Sequence, residues 1–197
     1  MKAETIAELK ETGKLALGFM PWLLFLFLPT GGWNELRRAV PICLAAALLF
    51  GWKSLRRGFI LQWATLAFFL FVTVALYGFA WVWLAENMAV VANAFLAGTI
   101  WATVLAGRPF TLQYAREGLP RDRWYDPALI RGCRSIAVFW GALLLVPTAC
   151  NLFRDFRPAA LPDKFYFAVS LGCIVLGFAY TVWYRRRKRR QHAAVSR

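Results

Sequence analysis

Histidine is almost missing from this chain: His192 is the one example in 197 residues. That excludes haem held between paired histidines and any metal site built from several imidazoles. Cysteine does not fill the gap. Cys43, Cys133, Cys150 and Cys173 form no CxxC pair, so the spacing predicts neither a zinc site nor a disulfide framework. Three of them, Cys43, Cys150 and Cys173, fall inside hydrophobic runs, where a free thiol behaves as a small apolar group. Acidic residues are scarce as well, 10 against 24 Lys and Arg. No carboxylate pair lies within an apolar run to carry general acid–base chemistry, no nucleophile stands beside a base, and no Gly-rich phosphate loop occurs. The expectation is a protein that is not an enzyme and carries no cofactor and no metal. Long polar stretches are also lacking, and the longest, 108–134, is too short for a soluble domain.

Apolar residues are what the chain has in abundance. They make up 60% of it, with mean hydropathy +0.50, where globular chains run nearer about 45–50%. They gather in runs that suit membrane helices of roughly 20 residues. The fold expected is an all-α integral membrane protein with about six transmembrane helices. Residues 1–14, with three Lys and three Glu, read as a helical lead-in on the membrane interface. No A-x-A-type cleavage site follows the first apolar run. The multi-pass domain covers 15–184, and 185–197 form a basic tail.

The expected spans are Leu15–Pro29, Leu36–Trp52, Phe59–Leu84, Met88–Gly107, Ser135–Phe153 and Phe165–Tyr184. Pro147 marks a kink site in the fifth. Between Ala39 and Trp52 only about 21 Å of helix is free of charge, so the first two segments alternatively form a shallow hairpin, leaving five spans. Phe59–Leu84 would extend about 39 Å and must tilt or protrude. Gly31 and Gly32 mark the first turn, and Glu86-Asn87 a tight turn before the fourth span.

Net charge is +14, which in a soluble chain would suggest nucleic acid. Here the cations flank the apolar runs, and topology accounts for them without nucleic acid. With the N-terminus cytoplasmic and six spans, the inner side holds Lys2, Lys10 and Lys14, then Lys53, Arg56 and Arg57, then the six arginines of 108–134 and the seven cations of the tail, six Arg and Lys188. The outer side holds Arg37, Arg38, Arg154, Arg157 and Lys164. Nineteen of 24 cations fall inside, which predicts cytoplasmic ends and a cytoplasmic loop 108–134.

Within that loop an eight-residue stretch repeats an earlier one. Arg57-Gly-Phe59-Ile-Leu61-Gln62-Trp63-Ala64 and Arg108-Pro109-Phe110-Thr-Leu112-Gln113-Tyr114-Ala115 share five identical residues at a constant offset of 51. Either a two-helix unit has been duplicated, as in parallel membrane repeats, or the likeness is chance in a Phe- and Leu-rich chain. The first copy continues as a span. The second is interrupted by Gly118 and Pro120, so Phe110–Glu117 reads as a short interfacial helix with Phe110, Tyr114 and Trp124 among the lipid headgroups. Arg108, Pro109, Phe110, Gln113, Tyr114 and Arg116 are its motif residues.

The order of features resembles the intracellular septation protein A family of bacterial inner-membrane proteins. A basic turn follows a short hairpin. A span ends in Gly107-Arg108-Pro109-Phe110, where the family has a basic-Pro-hydrophobic element. A polar stretch carries Leu119-Pro120 and Trp124. The next span ends near Cys150-Asn151-Leu152-Phe153, and Lys164-Phe165 opens the last. The resemblance covers about residues 15–184 and rests on short, loose motifs. FTLQYARE at 110–117 also resembles stretches in uncharacterised bacterial multi-pass proteins. The family resemblance implies a role in envelope maintenance or cell division through partner membrane proteins, and it implies no catalytic residues.

Ionisable or amide side chains within spans are the default functional candidates. Glu86, Asn87 and Asn93 cluster near one outer turn, Gln62 lies near an inner end, and Asn151 near an outer end. They line a polar path or hydrogen-bond between helices. The cation run Arg185, Arg186, Arg187, Lys188, Arg189 and Arg190 is placed to attract anionic lipid, by about 1 kcal/mol each, or to anchor the last span. The expected partners are lipids and other membrane proteins, and a homo-oligomer. The leading reading is a contact protein of the inner membrane. The rival is a small oligomeric transporter or channel.

Overall fold

The computed structural model describes residues 2–28, 30–117, 119–156 and 162–195, with side chains for 13, 16–28, 30–117, 119–154 and 162–188. All regular structure among them is helical: α1 Lys2–Phe27, α2 Trp33–Arg56, α3 Ile60–Tyr77, α4 Val82–Glu86, α5 Met88–Leu105, α6 Phe110–Arg116, α7 Pro127–Phe156 and α8 Asp163–Val195, with a 3-10 turn at Arg121–Arg123. The interfacial lead-in expected at 1–14 is continuous with α1, and its side-chain setting lies outside the described residues, as do Pro29, Gly118, Arg157 and the Arg189 and Arg190 side chains.

Five helices are long and apolar enough to cross a membrane: α2, α3, α5, α7 and α8. The chain is an all-α, multi-pass membrane protein. The first hairpin has unequal arms. Its second arm, α2, is long enough to span, whereas the apolar part of α1, Ala16–Phe27, is shorter.

Local chemistry sets the helix ends. Gly58 and Gly107 both take left-handed φ, 74° and 71°. At each, the glycine N–H donates three residues back and the next N–H donates five back: Gly58 to Leu55 and Phe59 to Ser54, Gly107 to Val104 and Arg108 to Thr103. These are Schellman ends, which satisfy carbonyls that a helix terminus leaves open. At the start of α7, Asp126 accepts from the Ala128 N–H at 2.8 Å, and Pro127 stands where its missing N–H costs nothing.

Two boundaries differ from the sequence reading. The run Phe59–Leu84 is not one helix. α3 stops at Tyr77, Ala80 adopts φ 46°, and the Trp81 N–H bonds back to Ala75 at 3.1 Å. The chain turns there and re-enters helix as α4. Eighteen residues already give about 27 Å of helix, and the turn leaves Phe79, Trp81 and Trp83 exposed, the aromatic composition of an interface. The helix of the fifth span begins earlier than Ser135, because Asp126-Pro127 starts α7 two turns sooner. Arg131 and Arg134 therefore ride on a helix, and the stretch before it that holds only short helices is 108–126.

α2 packs between α1 and α3, α5 lies along α7, and α7 along α8. α1 closes the ring against α8. Its inward face carries Phe19, stacked on Trp140 with ring centroids 4.9 Å apart, and Trp22, 5.1 Å from Phe68. In lipid such packing rests on dispersion and interhelical hydrogen bonds rather than escape from water. Large apolar side chains such as Leu49 and Leu105 point outward, where acyl chains meet them. The α2–α3 turn, segment 108–126 and the C-terminal half of α8 share one end of the bundle, called here the basic end.

Candidate functional site

The motif at 108–116 builds a wedge at the basic end. α6 is held at its start by Thr103, whose hydroxyl accepts the Phe110 N–H at 3.2 Å, and at its side by Thr111 donating to the Cys133 carbonyl at 2.7 Å. Phe110 and Tyr114 are fully buried. They do not sit among headgroups, as the sequence suggested: the two fixings turn the apolar face of α6 toward α7 and α1. Trp124 stays at the rim, half-buried, where its carbonyl accepts from Arg116 and its indole N–H donates to Leu119. Arg108 is exposed.

The two copies of the repeated octapeptide meet here. Arg57 pairs with Glu117. The Gln113 amide brackets the α2–α3 turn, accepting the Ile60 N–H at 2.9 Å and donating to the Gly58 carbonyl at 3.2 Å. Phe59 meets Tyr114 edge-on at 4.8 Å. Gln62 is buried and donates to the Gly18 carbonyl at 3.0 Å. Two glycines make its room: a Cβ on Gly51 would lie 2.7 Å from the Gln62 Oε1, and one on Gly18 2.8 Å from its Nε2. The Tyr114 hydroxyl sits beside it, buried and without a well-formed hydrogen bond. Burial pushes this phenol up to about 12, with Gln62 opposing and Glu117 reinforcing the shift. Gln62, on α3, thus packs against α1, α2 and α6.

At the opposite end the helices surround a partly open cavity of about 300 Å³. Glu86 from α4, Asn93 from α5, Asn151 and Arg154 from α7, and Tyr166 and Ser170 from α8 all line it. Asn87 does not; its amide donates to the Trp83 carbonyl at 2.8 Å. Asn93 donates to the Ala89 carbonyl at 2.8 Å and buried Asn151 to that of Pro147 at 2.7 Å; α7 is continuous through Pro147. Arg154 pairs with Asp163 at 3.6 Å and lies 5.4 Å over the Tyr166 ring. The Tyr166 hydroxyl is buried and has no partner. Glu86 and the two asparagines were legible as candidates. Arg154, Asp163, Tyr166 and Ser170 were not, because nothing in their spacing shows that α7 and α8 bring them to one wall.

An aromatic layer closes the cavity from the basic end. Trp140 stacks on Phe19, meets Phe178 edge-on at 5.2 Å, and anchors its indole N–H on Thr181 at 3.0 Å. Beyond that layer a groove of about 460 Å³ opens between α6, α7 and α8, with an apolar floor at Leu129 and Ile136 and Arg123, Arg185 and Lys188 at its rim. Arg187 lies over Trp183 at 5.3 Å. No group of three or more His, Cys, Asp or Glu among the described residues is placed to hold a metal. No protein-family model, curated protein or solved structure matches the chain.

Proposed function

We propose that this multi-pass protein resides in the bacterial inner membrane with both ends cytoplasmic and acts without catalysis. It works through contacts with lipids and other membrane proteins, as a homo-oligomer, in envelope maintenance or cell division. The resemblance to the septation protein A family supplies the pathway. One observation carries the contact reading: the amides of Asn87, Asn93 and Asn151 each donate into the preceding turn of their own helix. Groups committed this way brace a scaffold. The basic-rimmed groove beside α6 supports attraction to anionic lipid. Deleting the gene is expected to alter the envelope, and crosslinking from position 121 to recover a membrane-protein partner. An unchanged envelope with no partner recovered removes this reading.

The cavity favours a second reading, a small oligomeric transporter or channel. The layer of Phe19, Trp140 and Phe178 lies across the way through, so passage requires that layer to move. Solute flux in proteoliposomes that falls in Glu86→Ala and Asn93→Ala favours transport; no flux from the parent protein removes it.

A further inference from the structure

The charge on the lining of the cavity opposite the basic end is lopsided. Asn93 and Asn151 each spend one amide N–H on the Ala89 and Pro147 carbonyls, and each keeps its amide oxygen, an acceptor, and its second N–H. Ser170 spends its hydroxyl hydrogen on the Tyr166 carbonyl, which leaves an oxygen that accepts. Glu86 adds an exposed carboxylate, acceptor on both oxygens. On the donor side stand the second N–H of each amide and Arg154, whose charge is already paired with Asp163. Among the described lining residues, two carboxylates face one guanidinium. Trp22, Phe25 and Phe167 supply aromatic wall. The Tyr166 hydroxyl is buried in that wall without a partner, a state that leaves part of its hydrogen-bonding capacity unused.

We propose that this cavity binds a small organic cation carrying a primary ammonium group. Three N–H donors answer a wall rich in acceptors. The surplus carboxylate supplies the charge, and the rings favour a cation at their faces. The Tyr166 oxygen takes one of the N–H bonds. The volume lies at the lower end of small-molecule sites, which suits an amine of a few carbons. The ligand is organic because the carboxylates are spread over α4 and α8 instead of converging on one point. The site is independent of the envelope role: binding is read on the purified protein.

Isothermal titration calorimetry on the full chain in detergent tests it, with n-butylammonium, tetramethylammonium, butyrate and n-butanol as probes at matched ionic strength. Butylammonium is expected to bind saturably, and tetramethylammonium, which has no N–H donor, several-fold more weakly. Butyrate and butanol are expected to give no saturable heat. Glu86→Gln should weaken butylammonium at least tenfold and Tyr166→Phe several-fold. Arg154→Gln removes the competing cation and should tighten it. Glu86 is exposed at the end of α4, so its substitution leaves the packing intact, and thermal unfolding of each variant checks this. The proposal is overturned if butylammonium does not saturate, if butyrate binds as well, if tetramethylammonium binds equally tightly, or if Glu86→Gln and Arg154→Gln behave as the parent.

Discussion

Gln62 illustrates how a single polar side chain sets the distance between helices. An amide inside a membrane bundle needs partners, and the Gly18 carbonyl is reachable because two helices offer glycine at the approach. Gly18→Ala and Gly51→Ala each place a methyl under 3.0 Å from Gln62 or Tyr114. The neighbours must shift, and each variant is expected to lose about 1–3 kcal/mol, read as a lower midpoint of thermal unfolding in detergent. Gly98→Ala is the control, since a Cβ there meets nothing within 4 Å; it should unfold no earlier than the parent. Tyr114 adds a pH dependence. Its phenol is raised from about 10 to about 12, chiefly by burial. The folded state therefore holds the proton more tightly than the unfolded state. This contribution is complete below pH 10 and is lost as pH rises toward 12, by an amount of order 2 kcal/mol. Chemical unfolding at pH 9 and pH 11 should show a steeper loss for the parent than for Tyr114→Phe.

Among the elements, what the sequence made legible depended on whether the signal was local. Gly58 and Gly107 mark their helix ends because left-handed backbone falls to glycine. Gly58→Ala and Gly107→Ala should each cost about 1–2 kcal/mol, from backbone strain alone, because a Cβ at either position touches nothing. A drop no larger than that of Gly98→Ala would contradict the assignment. Asp126-Pro127 was equally local, yet it was read as loop because two arginines follow within two turns; capping overrides charge when the helix end lies outside the lipid. The third apolar run misled for the opposite reason. Its hydropathy is continuous, and the break at Gly78–Trp81 is made by the left-handed Ala80 and the Trp81 N–H bond back to Ala75, which hydropathy does not register. α6 was recognisable as a short helix. Its depth was not, because burial of Phe110 and Tyr114 depends on hydroxyls at Thr103 and Thr111 meeting partners in other turns.

Across the whole molecule, the distribution of cations was legible early because it is a property of the chain's linear order, whereas the cavity belongs to no segment. Its wall takes two to five residues from each of five helices, α1, α4, α5, α7 and α8, and only the packing of α7 on α5 and α8, and of α1 on α8, brings them together. The helix order nevertheless makes the sides consistent. α1 and α2 join at the cavity end, α2 and α3 at the basic end, and α7 runs from the basic end back to the cavity. The C-terminal half of α8 therefore lies beside Arg57 and segment 108–126, at the end toward which α1 begins. The concentration of cations at that end is the ground for proposing that it faces the cytoplasm. Single-cysteine labelling in a background lacking the four native cysteines tests the arrangement. Gly31→Cys, at the cavity end, should react with a membrane-impermeant maleimide added outside intact cells. Arg121→Cys, at the basic end, should react only after the membrane is opened. If both react from outside, the two ends do not face opposite sides; if the pattern is reversed, the helix order survives and the orientation inferred from the cations falls.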